Sequence, residues 1–153
     1  SSDLFMGFGL FFSLWVVIVA KFSDIGALLV GKAIGRTKLA PSISPGKTIE
    51  GLIGGFGASA GMGALLPWAF QEKFQDVVYF GDWVFTPTQG ALWGIVVALS
   101  AVIGDLIASV MKRLASMKDS GGAIPGIGGL FDLTDSLILA APTGYLILFL
   151  LQK

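Results

Sequence analysis

Residues 41–51, PSISPGKTIEG, contain the GKT tripeptide that closes an ATP-binding P-loop. If the segment were such a loop, the chain would be a soluble α/β domain. A P-loop needs a glycine five positions before the glycine of GKT, because its backbone N–H groups wrap the phosphates. That position is Pro41, which has no N–H and a fixed φ. Apolar runs long enough to be membrane helices lie on both sides, so the strand–loop–helix context is also missing. The segment is instead a polar connection between two hydrophobic stretches. Lys47, Thr48 and Glu50 are conspicuous in such a connection.

Composition supports the membrane reading. The 153 residues are 54% hydrophobic and 13% charged, where about 25% charged is usual for a soluble domain, and mean hydropathy is +0.83. The length suits a single domain. The absence of Cys excludes disulfides and thiolate chemistry, and the absence of His excludes imidazole bases and imidazole metal ligands. Acid–base or metal chemistry must therefore fall to Asp, Glu, Lys, Arg, Ser or Thr. No basic segment precedes the first apolar run, which argues against a signal peptide. The initial Ser fits a fragment of a longer protein.

Four apolar runs stand out, at 4–20, 52–70, 89–111 and 137–151, and among them only the third holds a charge, Asp105. A bilayer core takes about 20 helical residues, and no polar stripe alternates with these runs as it would on a surface helix of a soluble bundle. The fold expected is an all-α, polytopic membrane helical bundle of about four spans. Residues 22–35, FSDIGALLVGKAIG, are apolar enough to re-enter the membrane or lie along its interface. Lys21, Lys32, Arg36, Lys38 and Lys47 fall in the first connection, Lys73 alone in the second, and Lys112, Arg113 and Lys118 in the third. The positive-inside rule places the first and third connections in the cytoplasm.

Glycines recur at four-residue spacing: Gly31 and Gly35, Gly51 and Gly55, Gly57 and Gly61, Gly90 and Gly94. Close helix packing is the expectation for the last three pairs. Phe80, Trp83 and Phe85 in the second connection are expected to form an aromatic anchor at the outer interface.

The polar residues that need explaining gather toward one membrane face. Asp105 lies about 24 Å along its helix from Gln89, near the cytoplasmic end. An intramembrane carboxylate costs roughly 2.5–3.5 kcal/mol, which makes it a functional-site candidate. Ser109 and Lys112 follow it on the same helical face, with Arg113 beside them. Pairing with Lys112 or Arg113 to ease insertion is the plainer alternative. The stretch KDSGGAIPGIGGLFDLTDS, 118–136, has too many glycines for a continuous helix. Its backbone N–H groups, at Gly128 and Gly129 among others, can approach an anionic ligand. Asp132 and Asp135 open the last apolar run. Carboxylates flanked by Lys and Arg suit Mg²⁺ completed by phosphate oxygens, and phosphoryl-type transfer needs such ions and cationic clamps but no histidine. Ser44, Lys47 and Thr48 add hydroxyl and ammonium donors on the same side.

Together, SPGKTIEG (44–51), GDLIASVMKR (104–113), KD (118–119) and IPGIGGLFDLTDS (124–136) resemble the CDP-diacylglycerol synthases, or phosphatidate cytidylyltransferases. Asp24, Ala27, Gly31 and Gly35 match a further motif of that family. Ile127 stands where its signature usually has His, Leu133 where it has Arg, and Leu28 where it has Tyr. Members of the family generally have more N-terminal spans. The resemblance implies that residues 1–153 form one membrane-embedded catalytic domain, the C-terminal part of a longer multi-pass protein of the bacterial inner membrane with its site facing the cytoplasm.

The implied reaction joins CTP to phosphatidic acid, giving CDP-diacylglycerol and pyrophosphate. Asp105 and Asp132 would hold Mg²⁺ with Asp135 and Asp24 in support. Lys112, Arg113 and Lys118 would neutralise phosphates, Ser44, Lys47 and Thr48 would contact CTP, and Glu50, Ser109, Asp119, Gly128 and Gly129 would complete the substrate site. Membrane lipids and a homodimer are the other partners expected, with no nucleic acid. Two alternatives stand beside this reading. One is an ion-coupled transporter, which would often show repeated halves where this sequence shows none. The other is a CTP transferase acting on another lipid phosphate, such as an ether lipid or an isoprenoid phosphate.

Overall fold

The computed structural model describes residues 2–73, 79–80, 83–118 and 137–151. Helix α1 spans Ser2–Ile34. A two-stranded hairpin follows, β1 (Lys38–Ala40) and β2 (Ser44–Thr48), and leads into α2 (Ile49–Lys73). The strand pair β3 (Tyr79–Phe80) and β4 (Trp83–Val84) precedes α3 (Pro87–Lys118), and α4 is described over Leu137–Leu151. Three of these helices, over Gly7–Ile34, Ile49–Gln71 and Pro87–Met111, are long and apolar enough to cross a membrane. Large apolar side chains such as Leu10, Leu29, Ile53, Trp68, Leu92 and Met111 are exposed along them. Hydrocarbon is the solvent that tolerates so extensive an apolar exterior.

The expected re-entrant or interfacial segment at 22–35 is not separate. Residues 22–34 continue α1 without a break. At 1.5 Å per residue α1 is about 50 Å long, against about 30 Å of hydrocarbon. In a bilayer it must tilt or project. Lys21 and Asp24 lie one turn apart on this helix with their charged groups at 3.9 Å, so the charges that suggested a loop are accommodated on its surface.

Aromatic residues of α1 form the centre of the core. Phe8, Phe12 and Trp15 are buried and stack along one face. Phe85 meets Phe12 and Trp15 edge-on, at centroid distances of 5.8 and 5.1 Å. Phe85 is fully buried and is therefore not part of an outer interfacial anchor. It sits just before α3, whose start is fixed by a reciprocal cap. The Gln89 N–H donates to Thr86 Oγ1, the Thr86 N–H donates to Gln89 Oε1, and Pro87 occupies the first helical position. That cap turns the preceding residue inward.

Helix α2 packs through a row of small residues. Gly51, Gly55, Ser59, Gly63 and Pro67 recur every fourth position and are all buried. The first two meet α1: a Cβ on Gly51 would lie 2.7 Å from the Ala27 carbonyl oxygen, and one on Gly55 2.9 Å from that of Ser23. The next two meet α3, where a Cβ on Gly94 would lie 2.7 Å from the Ser59 carbonyl oxygen, and Gly90 sits against the Gly63 backbone. Gly63 also accepts the Trp15 indole N–H at 3.1 Å, so three helices converge there. Gly57 and Gly61 face open space and take no part, contrary to the expectation for that pair. Gly31 and Gly35 pack closely after all. The hydroxyls of Ser100 on α3 and Thr143 on α4 meet at 2.9 Å.

Candidate functional site at the junction of α1, β2 and α3

The segment quoted at the outset closes the hairpin and begins a helix. β2 runs antiparallel to β1, with Lys38 opposite Thr48 and Ala40 opposite Ser44. Thr48 then caps α2, its Oγ1 accepting the Gly51 N–H at 3.1 Å. Its side chain is buried in a socket of glycines. A Cβ on Gly31 would lie 3.0 Å from Thr48 Oγ1, and one on Gly51 2.9 Å. Side chains at these positions would push the hairpin off the helix pair. Glu50 accepts from the Thr37 backbone N–H at 3.2 Å and from its hydroxyl at 3.0 Å, tying the segment between α1 and β1 to the start of α2. Lys38 Nζ donates to the Pro45 carbonyl at 2.6 Å. The GKT segment is thus held from both ends.

This anchoring carries Lys47 to α3, where its ammonium forms an ion pair with Asp105. Both side chains are partly exposed, and both line a cavity of about 200 Å³ together with Asp24, Leu28, Thr48 and Val102. Asp24 comes from α1, Lys47 and Thr48 from β2, and Asp105 from α3, so sequence positions far apart supply the polar wall. Leu28, Leu39, Leu52 and Val102 supply an apolar one. Asp105 thus takes a partner 58 positions earlier, on the hairpin.

Other expected site residues lie elsewhere. Ser44, at the start of β2, and Glu50 do not line this cavity; Glu50 instead positions the hairpin. Ser109 donates its hydroxyl to the Asp105 backbone carbonyl at 2.8 Å, as helical serines commonly do. Lys112, Arg113 and Lys118 belong to α3, and Arg113 is exposed. Asp119, Gly128, Gly129, Asp132 and Asp135, with Ile127 and Leu133, lie outside the described residues. Among the described residues no group of three or more Asp or Glu gathers as a metal cage. Two carboxylates on one cavity do fit a hard cation whose remaining ligands are phosphate oxygens or water.

The model of a family described as the cytidylyltransferase family matches residues 4–151. Among curated proteins, a phosphatidate cytidylyltransferase of Synechocystis is 43% identical over 129 residues, covering 84% of this chain and 40% of that protein. One from Haemophilus influenzae is 39% identical over 134 residues, covering 88% and 44%. One from Staphylococcus aureus is 39% identical over 136 residues, covering 88% and 47%. The chain spans less than half the length of these relatives.

Proposed function

The chain belongs to the cytidylyltransferase family, and from that premise we propose that it is the membrane-embedded catalytic part of an enzyme that transfers CMP from CTP to phosphatidic acid, giving CDP-diacylglycerol and pyrophosphate. The observation that carries this reading is the convergence of Asp24, Lys47, Thr48 and Asp105 on one cavity. The relatives named above supply the substrate class by their own names.

In this reading an oxygen of the lipid phosphate attacks the α-phosphorus of CTP, the bond from that phosphorus to the bridging oxygen breaks, and pyrophosphate leaves with the electron pair. A phosphate monoester is already anionic near neutral pH, so no histidine is needed as a base. Asp105, supported by Asp24, would hold Mg²⁺, with Asp132 and Asp135 as further ligands. Bound there, the ion would offset charge on the phosphates and on the leaving pyrophosphate. Lys47 would neutralise a phosphate oxygen, and Lys112, Arg113 and Lys118 of α3 would supply further positive charge. A whole small ligand usually fills roughly 300–1,000 Å³. The cavity of about 200 Å³ suits a phosphate group with its cation. The apolar wall of Leu28, Leu52 and Val102 suits the lipid side of the acceptor.

The enzyme would have four spans, with α4 as the fourth, in a bacterial inner membrane with the hairpin facing the cytoplasm, where CTP is available. The basic residues of the first and third connections support that orientation. A homodimer is consistent with the family.

The test is mass-spectrometric detection of CDP-lipid in membranes carrying the full chain, supplied with CTP, Mg²⁺ and phosphatidic acid. The expected result is product from the parent and a loss of roughly a hundredfold or more for Asp132→Asn. Equal product from both removes Asp132 from the site. No product from a folded parent with either phosphatidic acid or an ether-lipid phosphate overturns the reading.

A further inference from the structure

Lys47 and Asp105 form an ion pair on the wall of the cavity, although the proposed function assigns them to opposite tasks, one toward a phosphate and the other toward a cation. We propose that Lys47 is a resident counter-ion of Asp105 that a divalent cation displaces, so that metal binding at Asp105 and release of Lys47 toward a phosphate are a single exchange. This inference rests on the metal role given to Asp105 above.

Three observations favour an exchange over a fixed structural tie. The pair is partly open to solvent, the side chains retaining 26% and 34% of their exposure, so a cation can reach the carboxylate without unfolding the site. The backbone on either side of Lys47 is fixed independently of the pair. Thr48 is locked as the α2 cap, Lys38 holds the Pro45 carbonyl, and Glu50 holds Thr37. Releasing Asp105 therefore frees only the ammonium on its flexible stem. Finally, Asp24 lines the same cavity, so the carboxylate that Lys47 leaves gains a cation alongside a second carboxylate.

The consequence is linkage. A cation at Asp105 must compete with the ammonium already there, so the free protein binds metal weakly. A phosphate that takes the ammonium relieves the competition, and metal and nucleotide strengthen each other's binding by the same factor. An ammonium already on Asp105 before substrate arrives also avoids leaving that carboxylate uncompensated near the membrane.

The experiment is calorimetric titration of Mn²⁺, without nucleotide or lipid, into the full chain purified in detergent. Wild type, Lys47→Met, Lys47→Gln, Lys47→Arg and Asp105→Asn would be compared, each checked for folding by its helical circular dichroism and melting curve. The exchange predicts that Lys47→Met or Lys47→Gln tightens Mn²⁺ binding roughly tenfold, that Lys47→Arg stays near wild type, and that Asp105→Asn loses the site. Adding CTP should tighten Mn²⁺ binding in wild type and much less in Lys47→Met. Unchanged or weaker Mn²⁺ binding by folded Lys47→Met and Lys47→Gln, with binding still lost in Asp105→Asn, overturns the exchange and leaves the metal role standing. Mn²⁺ binding retained by Asp105→Asn overturns that role, and the exchange with it.

Discussion

Asp105→Asn is expected to lower CTP-dependent CDP-lipid formation by roughly a thousandfold or more, while moving the melting temperature of the protein in detergent by no more than about 4 °C. The substitution keeps size and shape and removes one charge. In the proposed chemistry that charge holds the cation against the phosphates, so its loss acts on the transition state. Stability should change little, because the Lys47–Asp105 pair is partly exposed and such pairs contribute about 0–1 kcal/mol. The helix around Asp105 also has its own support, including the Ser109 hydroxyl on the Asp105 carbonyl. Activity and melting measured on the same preparation separate the two roles. A loss of activity matched by a loss of fold would make Asp105 a structural residue.

Gly90→Leu is expected to have the larger effect on stability, more than about 3 kcal/mol. The position has no room for even a methyl group, since a Cβ would press on the Gly63 backbone and lie 3.0 Å from Pro67 Cγ. The obstacle is backbone, which cannot swing aside as a side chain can. Moving α2 away from α3 would also strain the bond from the Trp15 indole to the Gly63 carbonyl, in the aromatic core with Phe85. Gly57→Leu is the matched control. It lies on the same helix as Gly63 but faces open space, and should leave stability unchanged or raise it by up to about 1 kcal/mol as a helical glycine is removed. Thermal unfolding of the two variants, followed by circular dichroism, checks the contrast. Similar melting temperatures would mean that the α2–α3 contact is looser than the geometry implies.

The contrast between Gly57 and Gly63 also shows where sequence reading stops. Four-residue spacing identifies candidate packing faces, but both Gly57–Gly61 and Gly51–Gly55 satisfy it. Only the rotation of α2, set by its neighbours, decides which face is buried. Ser59, Gly63 and Pro67 complete the buried row and could have been found by extending the spacing onward from Gly51.

Helix α1 misled for a different reason. Lys21, Ser23 and Asp24 resemble a break after an apolar run, yet they sit within a helix whose small residues, Ala27 and Gly31, pack on α2. Tertiary packing outweighs the local cost of glycine in a helix, about 1 kcal/mol each. The TPTQ cap at Thr86–Gln89 was readable from its residue types, and it accounts for the inward turn of Phe85. At the site, the motifs pointed to Asp24, Lys47, Thr48 and Asp105 individually. No local pattern could show that Lys47 faces Asp105, because the pairing depends on a hairpin held by Glu50 and Thr37. Glu50 was expected at the substrate site, and the structure shows it positioning the hairpin.

The measurement that tests the central claim most directly follows the phosphates of CTP. The full chain, with Mg²⁺ and phosphatidic acid, would receive CTP labelled at either the α- or the γ-phosphorus. The account predicts α-label in the lipid product and γ-label in pyrophosphate, in equal amounts, with both nearly abolished by Asp105→Asn. γ-Label in the lipid, or α-label released as free CMP with none in lipid, would contradict it.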